Sequence, residues 1–262
     1  LFYSSLDADS EGVEGKFYCF TKAEIFSIVT ERPDIFSDYF SVKENGNWEH
    51  SNILYIGKTI SEICDRYKIG KEDFFEIIKN GKVELLKAKE GRVRPGLDDK
   101  CLTAWNAMTI TGMLRVYQLT DNHYALELGT RAIDFLLNNL KQGNGLFFRN
   151  YKNKKASITG FLDDQVFMME ALIEMYRSVW DEKYLLEAKT LLEKVIEHYF
   201  DSKTGSFYFT GKDQNQPVLR TKEIMDNVIP SSNSVMANNL YLLGHYFNNE
   251  EWINLSKKLC LS

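Results

Sequence analysis

Two pairs of consecutive aspartates are the residues of this chain best suited to acid–base chemistry. Asp98 and Asp99 form the first pair, and Asp163 and Asp164 repeat the same Leu-Asp-Asp motif further along the chain. Each pair is expected at the start of a helix. Two carboxyl groups held about 5–10 Å apart across a sugar ring can hydrolyse a glycosidic bond, one as acid and the other as base or nucleophile. All four aspartates are therefore candidate catalytic residues.

The same aspartates could instead serve as helix caps. An aspartate at the N-cap accepts a hydrogen bond from a free helix N–H, and its charge complements the helix dipole. One cap per helix suffices, so paired aspartates at the predicted helices 98–118 and 163–179 leave a second carboxylate for a ligand. Glu170 and Glu174 fall on the same face of the second helix as Asp163, which would extend the acidic surface inward.

Six further residues could recognise the hydroxyl groups of a sugar. Amides both donate and accept hydrogen bonds, charged groups do one or the other, and a tryptophan offers a flat apolar face. The amides could equally cap helices, and that alternative is open. The candidate substrate-binding residues are Glu14, Arg94, Trp105, Asn106, Asn227 and Asn233.

An acidic loop near the start of the chain matches half of a calcium-binding loop. Asp7, Asp9, Glu11 and Gly12 stand at positions 1, 3, 5 and 6, but Tyr18 occupies the twelfth position, which requires a bidentate glutamate. The four cysteines are scattered without a Cys-x-x-Cys pair, which is typical of buried thiols. We predict no metal and no cofactor.

Histidine is scarce for a sugar epimerase. Epimerisation needs proton-transfer groups with a pKa near 7, usually histidines. The chain has four: His50 and His123 in predicted loops, and His198 and His245 at predicted helix ends. A sugar epimerase or isomerase is therefore a second alternative, behind a hydrolase.

Composition excludes several classes of function. With 44% hydrophobic residues, the 262-residue chain can bury a sizeable core. A net charge of −5 argues against a nucleic-acid partner, and no apolar run approaches the roughly 20 residues of a membrane span. The sequence begins Leu1-Phe2 without an initiator methionine. We expect a fragment of a longer protein, so the missing signal peptide leaves the compartment open.

Repeats 60 to 68 residues apart decide the predicted fold. Helix pairs over 98–140 and 163–200, and a third from about 231, are joined by connections with a short aromatic run. Small, polar first helices against amphipathic second helices favour the inner and outer rings of a closed toroid over an open solenoid. We predict an all-α, incomplete (α/α)6 toroid of helix hairpins with short β-hairpins, forming a single domain over 1–262.

Local signals predict the structure before residue 98. Thr21 with Glu24, and Thr59 with Glu62, form capping boxes that open helices. A further helix is predicted over 71–89, and short strands over 15–20 and 53–56.

A series of motifs resembles a known family over nearly the whole chain. The motifs, in order, are Asp7-Ala8-Asp9-Ser10-Glu11-Gly12, Glu14-Gly15-Lys16-Phe17-Tyr18, Arg94-Pro95, Asp98-Asp99-Lys100, Trp105-Asn106, Leu162-Asp163-Asp164, Asp226-Asn227, Pro230-Ser231 and Asn233-Ser234. The set resembles the C-terminal region of thioredoxin-domain proteins of the spermatogenesis-associated protein 20 type. The resemblance implies a toroid similar to N-acylglucosamine 2-epimerases and six-hairpin glycosidases, linked in the full-length protein to a thioredoxin-like domain. Departures at Cys19-Phe20, Gln165 and Ser232 leave every carboxylate in place.

The sequence therefore predicts a carbohydrate-active enzyme of the six-hairpin glycosidase-like type. Its acidic pocket would lie at the N-terminal ends of the inner helices and take a small molecule or an oligosaccharide. The first alternative is a non-catalytic module that binds a sugar or a partner for the thioredoxin-like domain. The hypotheses differ in one geometric feature, whether two carboxyl groups face each other across a cavity or each bonds its own helix end.

Overall fold

The computed structural model describes residues 1–214 and 219–261. The chain forms two compact units. One is Ser5–Asp98, here called the N-terminal unit, and the other joins Leu1–Ser4 to Asp99–Ser262, here called the hairpin unit. No helix in the described parts of the chain is both long and apolar enough to cross a bilayer. The prediction of a single domain over all 262 residues stays a prediction.

The N-terminal unit packs four helices around its own apolar core. Both predicted capping boxes are confirmed, because each threonine accepts the N–H of its glutamate and that glutamate's side chain accepts the threonine N–H. Phe36, Ile63 and Phe74 are among the core side chains. The elements are β1 Ser5–Leu6, β2 Asp9–Ser10, β3 Val13–Glu14, α1 Lys22–Ile28, α2 Pro33–Tyr39, α3 Ile60–Tyr67, α4 Lys71–Glu90 and β4 Leu97–Asp98.

The two strands predicted for this unit are wrong. Residues 15–18 form a turn, in which Gly15 has a φ of 72° and accepts the main-chain N–H groups of Tyr18 and Cys19. Residues 53–56 form a loop rather than a strand. Both segments are rich in aromatic and apolar residues, but the strand-type pairing that involves them in the described chain is limited to one isolated bridge between Phe20 and Asn52.

The hairpin unit consists of three helix hairpins. An asparagine or aspartate, namely Asn122, Asp181 or Asn249, caps the second helix of each pair. With ten helices and only short strands in its described residues, the chain confirms the predicted all-α class. The elements are β5 Cys101–Leu102, α5 Thr103–Thr120, α6 His123–Asn139, β6 Phe148–Lys152, β7 Lys155–Thr159, α7 Leu162–Val179, α8 Glu182–Tyr199, β8 Phe200–Asp201, β9 Ser206–Phe207, α9 Ser232–Tyr246 and α10 Glu250–Leu259.

Helix α7 is the centre of this unit. It packs against α5, α8 and α9, and 13 of its 18 residues are buried. A helix buried on all sides is expected to be apolar around most of its circumference, and α7 carries Val166, Phe167, Met168 and Met169 in one unbroken run. The polar residues at its start are therefore held in a closely packed environment.

The start of α5 differs from the prediction. The motif at Asp98 predicts a helix from residue 98, but α5 begins at Thr103. The intervening Cys101 and Leu102 form β5, which pairs with Tyr151 and Asn150 of β6. This long-range pairing keeps Cys101 and Leu102 in a strand, so α5 begins after both aspartates. Helices α7 and α9, at 162 and 232, begin within one residue of their predicted starts.

Candidate functional site

Helices α5, α7 and α9 are the first helices of the three hairpins and are here called the inner helices. Each carries one amide side chain that forms hydrogen bonds with the main chain of a phenylalanine. In every case the amide oxygen accepts the phenylalanine N–H and the amide nitrogen donates to its carbonyl, at 2.8–3.0 Å. We call these the amide brackets. They pair Asn106 with Phe2, Gln165 with Phe147, and Asn233 with Phe207.

Two of the residues predicted to bind substrate, Asn106 and Asn233, form amide brackets. Asn106 also donates to Leu102 O at 3.0 Å, and Asn233 donates to Glu223 O at 2.8 Å. Both amides are buried, so their hydrogen-bonding capacity is directed to the protein main chain. Their predicted contact with a sugar stays a prediction, and the geometry gives them a role in positioning helix starts.

Asp164 is a cap for two helices at once. It is fully buried, and its Oδ1 accepts Ala104 N–H of α5 at 3.1 Å. Its Oδ2 accepts Phe161 N–H at the start of α7 at 2.9 Å. Because the N-cap of α5 is Leu102, which has no side-chain acceptor, Asp164 supplies the missing cap from the neighbouring helix.

Asp163 lies beside Asp164 and retains a small exposed surface. Its Oδ1 accepts Asp164 N–H at 2.9 Å, and 8% of the residue is exposed. Arg149 of β6 contacts both carboxylates through Nη1, at 3.3 Å to Asp163 Oδ2 and 3.2 Å to Asp164 Oδ2. One guanidinium group therefore faces two adjacent carboxyl groups.

Burial raises the pKa of both carboxyl groups. Desolvation is the main cause for each, and Arg149 opposes it. The neighbouring Asp163 charge further raises the pKa of Asp164, to about 8. Because Arg149 is a single cation, it does not offset two carboxylates in a buried site. The pair therefore holds a proton at neutral pH.

A third carboxyl group completes this site. The negative charge of Glu223 contributes to the raised pKa of Asp163. Glu223 is exposed, and its Oε2 accepts the Ser232 hydroxyl at the start of α9 at 2.6 Å. We call Arg149, Asp163, Asp164 and Glu223 the acidic cluster. It joins the starts of α7 and α9.

Aromatic rings lie beside the acidic cluster. The Arg149 guanidinium lies 5.0 Å from the centre of the Phe161 ring. Phe161 in turn stacks on Phe209, with centroids 5.0 Å apart and an interplanar angle of 17°. The guanidinium is therefore held by a cation–π contact as well as by two carboxylates.

The other predicted residues of the hairpin unit lie at its surface. Asp99 forms an ion pair of 2.7 Å with Lys152, and both side chains are more than 40% exposed. Trp105 of α5 is 46% exposed and follows the Ala104 that Asp164 caps. Asn227 is exposed in the segment that precedes α9.

The remaining predicted residues belong to the N-terminal unit. Asp98 is in β4 and pairs with Ser5, Arg94 is exposed after α4, and Glu14 is exposed in β3. No group of three acidic, histidine or cysteine side chains that could hold a metal ion occurs among residues 1–214 and 219–261.

The additional acids predicted on α7 are matched by arginines. Arg115 of α5 lies 2.9 Å from Glu170, and Arg177 lies 3.0 Å from the buried Glu174. Arg177 also donates to the Tyr246 hydroxyl of α9 at 3.1 Å. This network links the three inner helices nearer their C-terminal ends.

Two members of the acidic cluster escaped the sequence analysis. Arg149 lies in an aromatic hairpin, and Glu223 lies in a segment without helical or strand periodicity. A carboxylate pair that lacks a counterion in its own helix is a signal that an arginine must come from elsewhere. Nothing in the sequence identifies which arginine that is.

Comparison with known proteins supports the resemblance in sequence. No protein-family model matches the chain. Over 96% of its length it is 28% identical to an uncharacterised protein of Caenorhabditis elegans, and over 99% it is 23% identical to human spermatogenesis-associated protein 20. The chain spans 38% and 37% of the length of those relatives. It is homologous to spermatogenesis-associated protein 20, whereas the linked thioredoxin-like domain stays a prediction.

Solved structures with a similar fold act on carbohydrates. A GH76 α-mannanase of Bacteroides thetaiotaomicron matches 90% of this chain and 69% of its own at a TM-score of 0.52 and 12% identity. Cellobiose 2-epimerase of Spirochaeta thermophila matches 62% of this chain and 42% of its own, at a TM-score of 0.51 and 15% identity. An inactive α-1,6-mannanase variant of Salegentibacter matches 91% of this chain and 69% of its own, at a TM-score of 0.50 and 10% identity. In that variant two consecutive aspartates are changed to asparagine, and α-1,6-mannotriose is bound. These neighbours confirm the (α/α)6 toroid class.

Proposed function

We propose that the protein is a carbohydrate-active enzyme of the six-hairpin glycosidase-like type, with its acid–base groups in the acidic cluster. The observation that carries the proposal is Asp163. Its carboxyl group keeps some exposed surface, has a raised pKa, and interacts electrostatically with exposed Glu223. A glycosidase acid must be protonated near neutral pH while its partner carboxylate is ionised.

In this proposal the residues have separate roles. Asp163 donates a proton to the glycosidic oxygen, and Glu223 acts as nucleophile or as the base that activates water. Asp164 and Arg149 position Asp163, since Asp164 is buried and bonded to two main-chain N–H groups. Trp105 offers a face for a sugar ring. Asp98 and Asp99 are less favoured acids, because Asp99 is paired with Lys152 at the surface.

The fold neighbours support this assignment indirectly. The mannanase variant is described as inactive with two consecutive aspartates replaced, and Asp163-Asp164 is likewise a consecutive pair at the start of an inner helix. The carbohydrate substrates named for the neighbours make an α-1,6-linked mannooligosaccharide the first ligand to test.

One observation favours the non-catalytic alternative. Asp164 has no exposed surface, and its hydrogen bonds are those of a helix cap. If Asp163 also serves only to support this cap, the unit would be a sugar- or partner-binding module. The epimerase alternative has no comparable support, since no histidine belongs to the acidic cluster.

The experiment compares wild type with Asp163→Asn and Glu223→Gln, using Asp99→Asn as the control. Release of reducing ends and calorimetric binding are measured on the full chain with α-1,6-mannotriose and cellobiose. The proposal expects turnover to fall about 10²–10⁴-fold in the first two variants while binding is retained. Equal turnover in all four proteins would overturn the assignment. Binding without turnover in wild type would favour the binding module.

A further inference from the structure

The segment that leads from β9 to α9 carries Glu223, the carboxylate proposed as nucleophile or base. Residues 221–223 lie outside the helices and strands, so their position depends on contacts with neighbouring elements. A glycosidase needs its two carboxyl groups at a defined separation, and a displacement of about 1 Å can lower a reaction rate about 100-fold. The contacts of this segment therefore decide whether Glu223 can act together with Asp163.

Phe209 connects this segment to the start of α7. Its carbonyl oxygen accepts the Leu162 N–H at 2.9 Å, and its own N–H donates to Thr221 O at 2.8 Å. Leu162 immediately precedes Asp163, and Thr221 lies two residues before Glu223. A short series of main-chain hydrogen bonds therefore joins the two residues proposed as acid and as nucleophile or base.

Lys222 anchors the segment through its side chain. Its Nζ donates to Asp201 Oδ2 at 2.7 Å and also to the Thr204 hydroxyl, which ties it to the β8–β9 hairpin. The same Nζ lies 4.5 Å from the centre of the Tyr208 ring. The side chains of Lys222 and Asp201 are only 16% and 10% exposed. Solvent therefore screens this ion pair much less than it screens a pair at the surface.

Asp201 is itself held within the turn of the β8–β9 hairpin. Its Oδ1 accepts the Lys203 N–H and its Oδ2 accepts the Thr204 hydroxyl, each at 3.0 Å. The hydrogen bond from Lys222 is the main reason why the pKa of Asp201 lies well below its usual range. Asp201 is therefore ionised throughout the pH range in which the acidic cluster titrates, where the pKa of Asp164 is about 8. The Asp201 end of the anchor keeps its charge while the cluster exchanges its proton.

The main chain beside Lys222 is held by weaker contacts. Thr221 O accepts a main-chain N–H, and Glu223 O accepts the Asn233 amide at 2.8 Å. Both are neutral hydrogen bonds, whereas the contact between Lys222 and Asp201 is charged on both sides. Charge-assisted hydrogen bonds are about twice as strong as neutral ones. Lys222 therefore provides the stronger tie, at the residue next to Glu223.

We propose that Lys222 is a positioning residue, which holds Glu223 at the separation from Asp163 that the proposed acid–base pair requires. Its Nζ is bonded to the β8–β9 hairpin, so it acts through Glu223 and not on the substrate. This role rests on the proposed hydrolase function, but the separation can be followed without a substrate. The charge of Glu223 raises the pKa of Asp163, and that effect weakens as two charges move apart.

The test follows the pKa of Asp163 by carbon-13 NMR titration of the full chain. Glu223→Gln should lower this pKa in the wild-type background, because it removes a neighbouring negative charge. In the Lys222→Met background, the same Glu223→Gln change should have a smaller effect. Lys203→Met is the matched control, since Lys203 is an exposed lysine of the same hairpin, and it should leave the wild-type effect unchanged.

A charge-balanced variant separates positioning from stability. Lys222→Met alone leaves the Asp201 carboxylate without its cation, so the melting temperature should fall. Asp201→Asn combined with Lys222→Met removes both charges and should recover much of the melting temperature. The combined variant should not recover the effect of Glu223 on the pKa of Asp163. Recovery of that effect together with stability would show that Lys222 only stabilises the fold, and would overturn the proposal.

Turnover of α-1,6-mannotriose is measured in parallel. The combined variant should lower kcat about 10- to 100-fold with little change in KM. Absence of turnover in wild type would count against the hydrolase, and the NMR titration would still decide the role of Lys222. The positioning role is overturned if Glu223→Gln shifts the pKa of Asp163 equally in wild type and in the folded Lys222 variants, or does not shift it in wild type.

Discussion

The Asp164 carboxylate lies 3.1 Å from the Ala104 main-chain nitrogen, so a side chain of α7 caps the start of α5 across 60 residues of sequence. A cap normally comes from the residue that begins its own helix. Here the same carboxyl group also bonds Phe161 N–H at its own helix start. The two inner helices therefore share one capping residue, and the stability of both depends on its protonation.

The first prediction concerns the pH dependence of stability. The pKa of Asp164 is raised to about 8 in the folded protein, whereas an aspartate in an unfolded chain titrates near 3.9. Between these values the folded state binds more protons, so the free energy of unfolding should fall as pH rises from about 4 to about 8. Urea unfolding at several pH values should show this slope and a flatter one for Asp164→Asn. Asp134→Asn, in an exposed part of α6, should keep the wild-type slope.

The second prediction concerns Arg149. Arg149→Met removes the guanidinium group that contacts both buried carboxylates, which should destabilise the protein by about 3 kcal/mol at pH 8. This value is near the low end for a buried ion pair because the arginine side chain is 28% exposed. The destabilisation by Arg149→Met should be smaller at pH 5, because the two carboxyl groups are more fully protonated there. A loss that does not change with pH would indicate that packing on Phe161 is the main contribution.

The third prediction concerns the amide brackets. Gln165→Leu would leave the buried N–H of Phe147 without a partner, whereas the Phe147 carbonyl would keep the Gly160 N–H at 3.0 Å. An unsatisfied buried group costs about 1–3 kcal/mol, so the free energy of unfolding should fall by about 1–3 kcal/mol. Asn138→Leu, at an exposed position of α6, is the matched control and should change stability little. A similar result for both variants would show that the bracket adds no stability.

The fourth prediction concerns calcium. Lys16 pairs with Glu11 at 2.8 Å, and the Tyr18 hydroxyl donates to Asp7 O at 3.0 Å, where a calcium-binding loop would present a glutamate. The melting temperature should therefore be the same in calcium and in a chelator. A rise of several degrees with calcium would show that the ion binds the folded state and that the loop was misinterpreted.

Capping signals confined to one helical turn were reliable in this sequence, whereas the short apolar runs at 15–20 and 53–56 were not. The capping boxes at Thr21 and Thr59 were predicted because both partners lie within one helical turn. The start of α5 was mispredicted because it depends on pairing between Cys101 and Tyr151, far apart in sequence. Likewise Asp163 and Asp164 could be singled out as a pair, whereas Arg149 could not be assigned to them without the path of β6.

The amide brackets bear on how a protein of this kind can change its length. Each amide belongs to the first helix of one hairpin, and its phenylalanine partner precedes that helix in the sequence. The phenylalanines that pair with Gln165 and Asn233 lie in the connection from the preceding hairpin. A duplicated segment that runs from one phenylalanine to the next would contain one complete amide bracket. Gain or loss of a whole hairpin would therefore preserve the other amide brackets. Evolution could alter the number of hairpins without remaking the contacts between them.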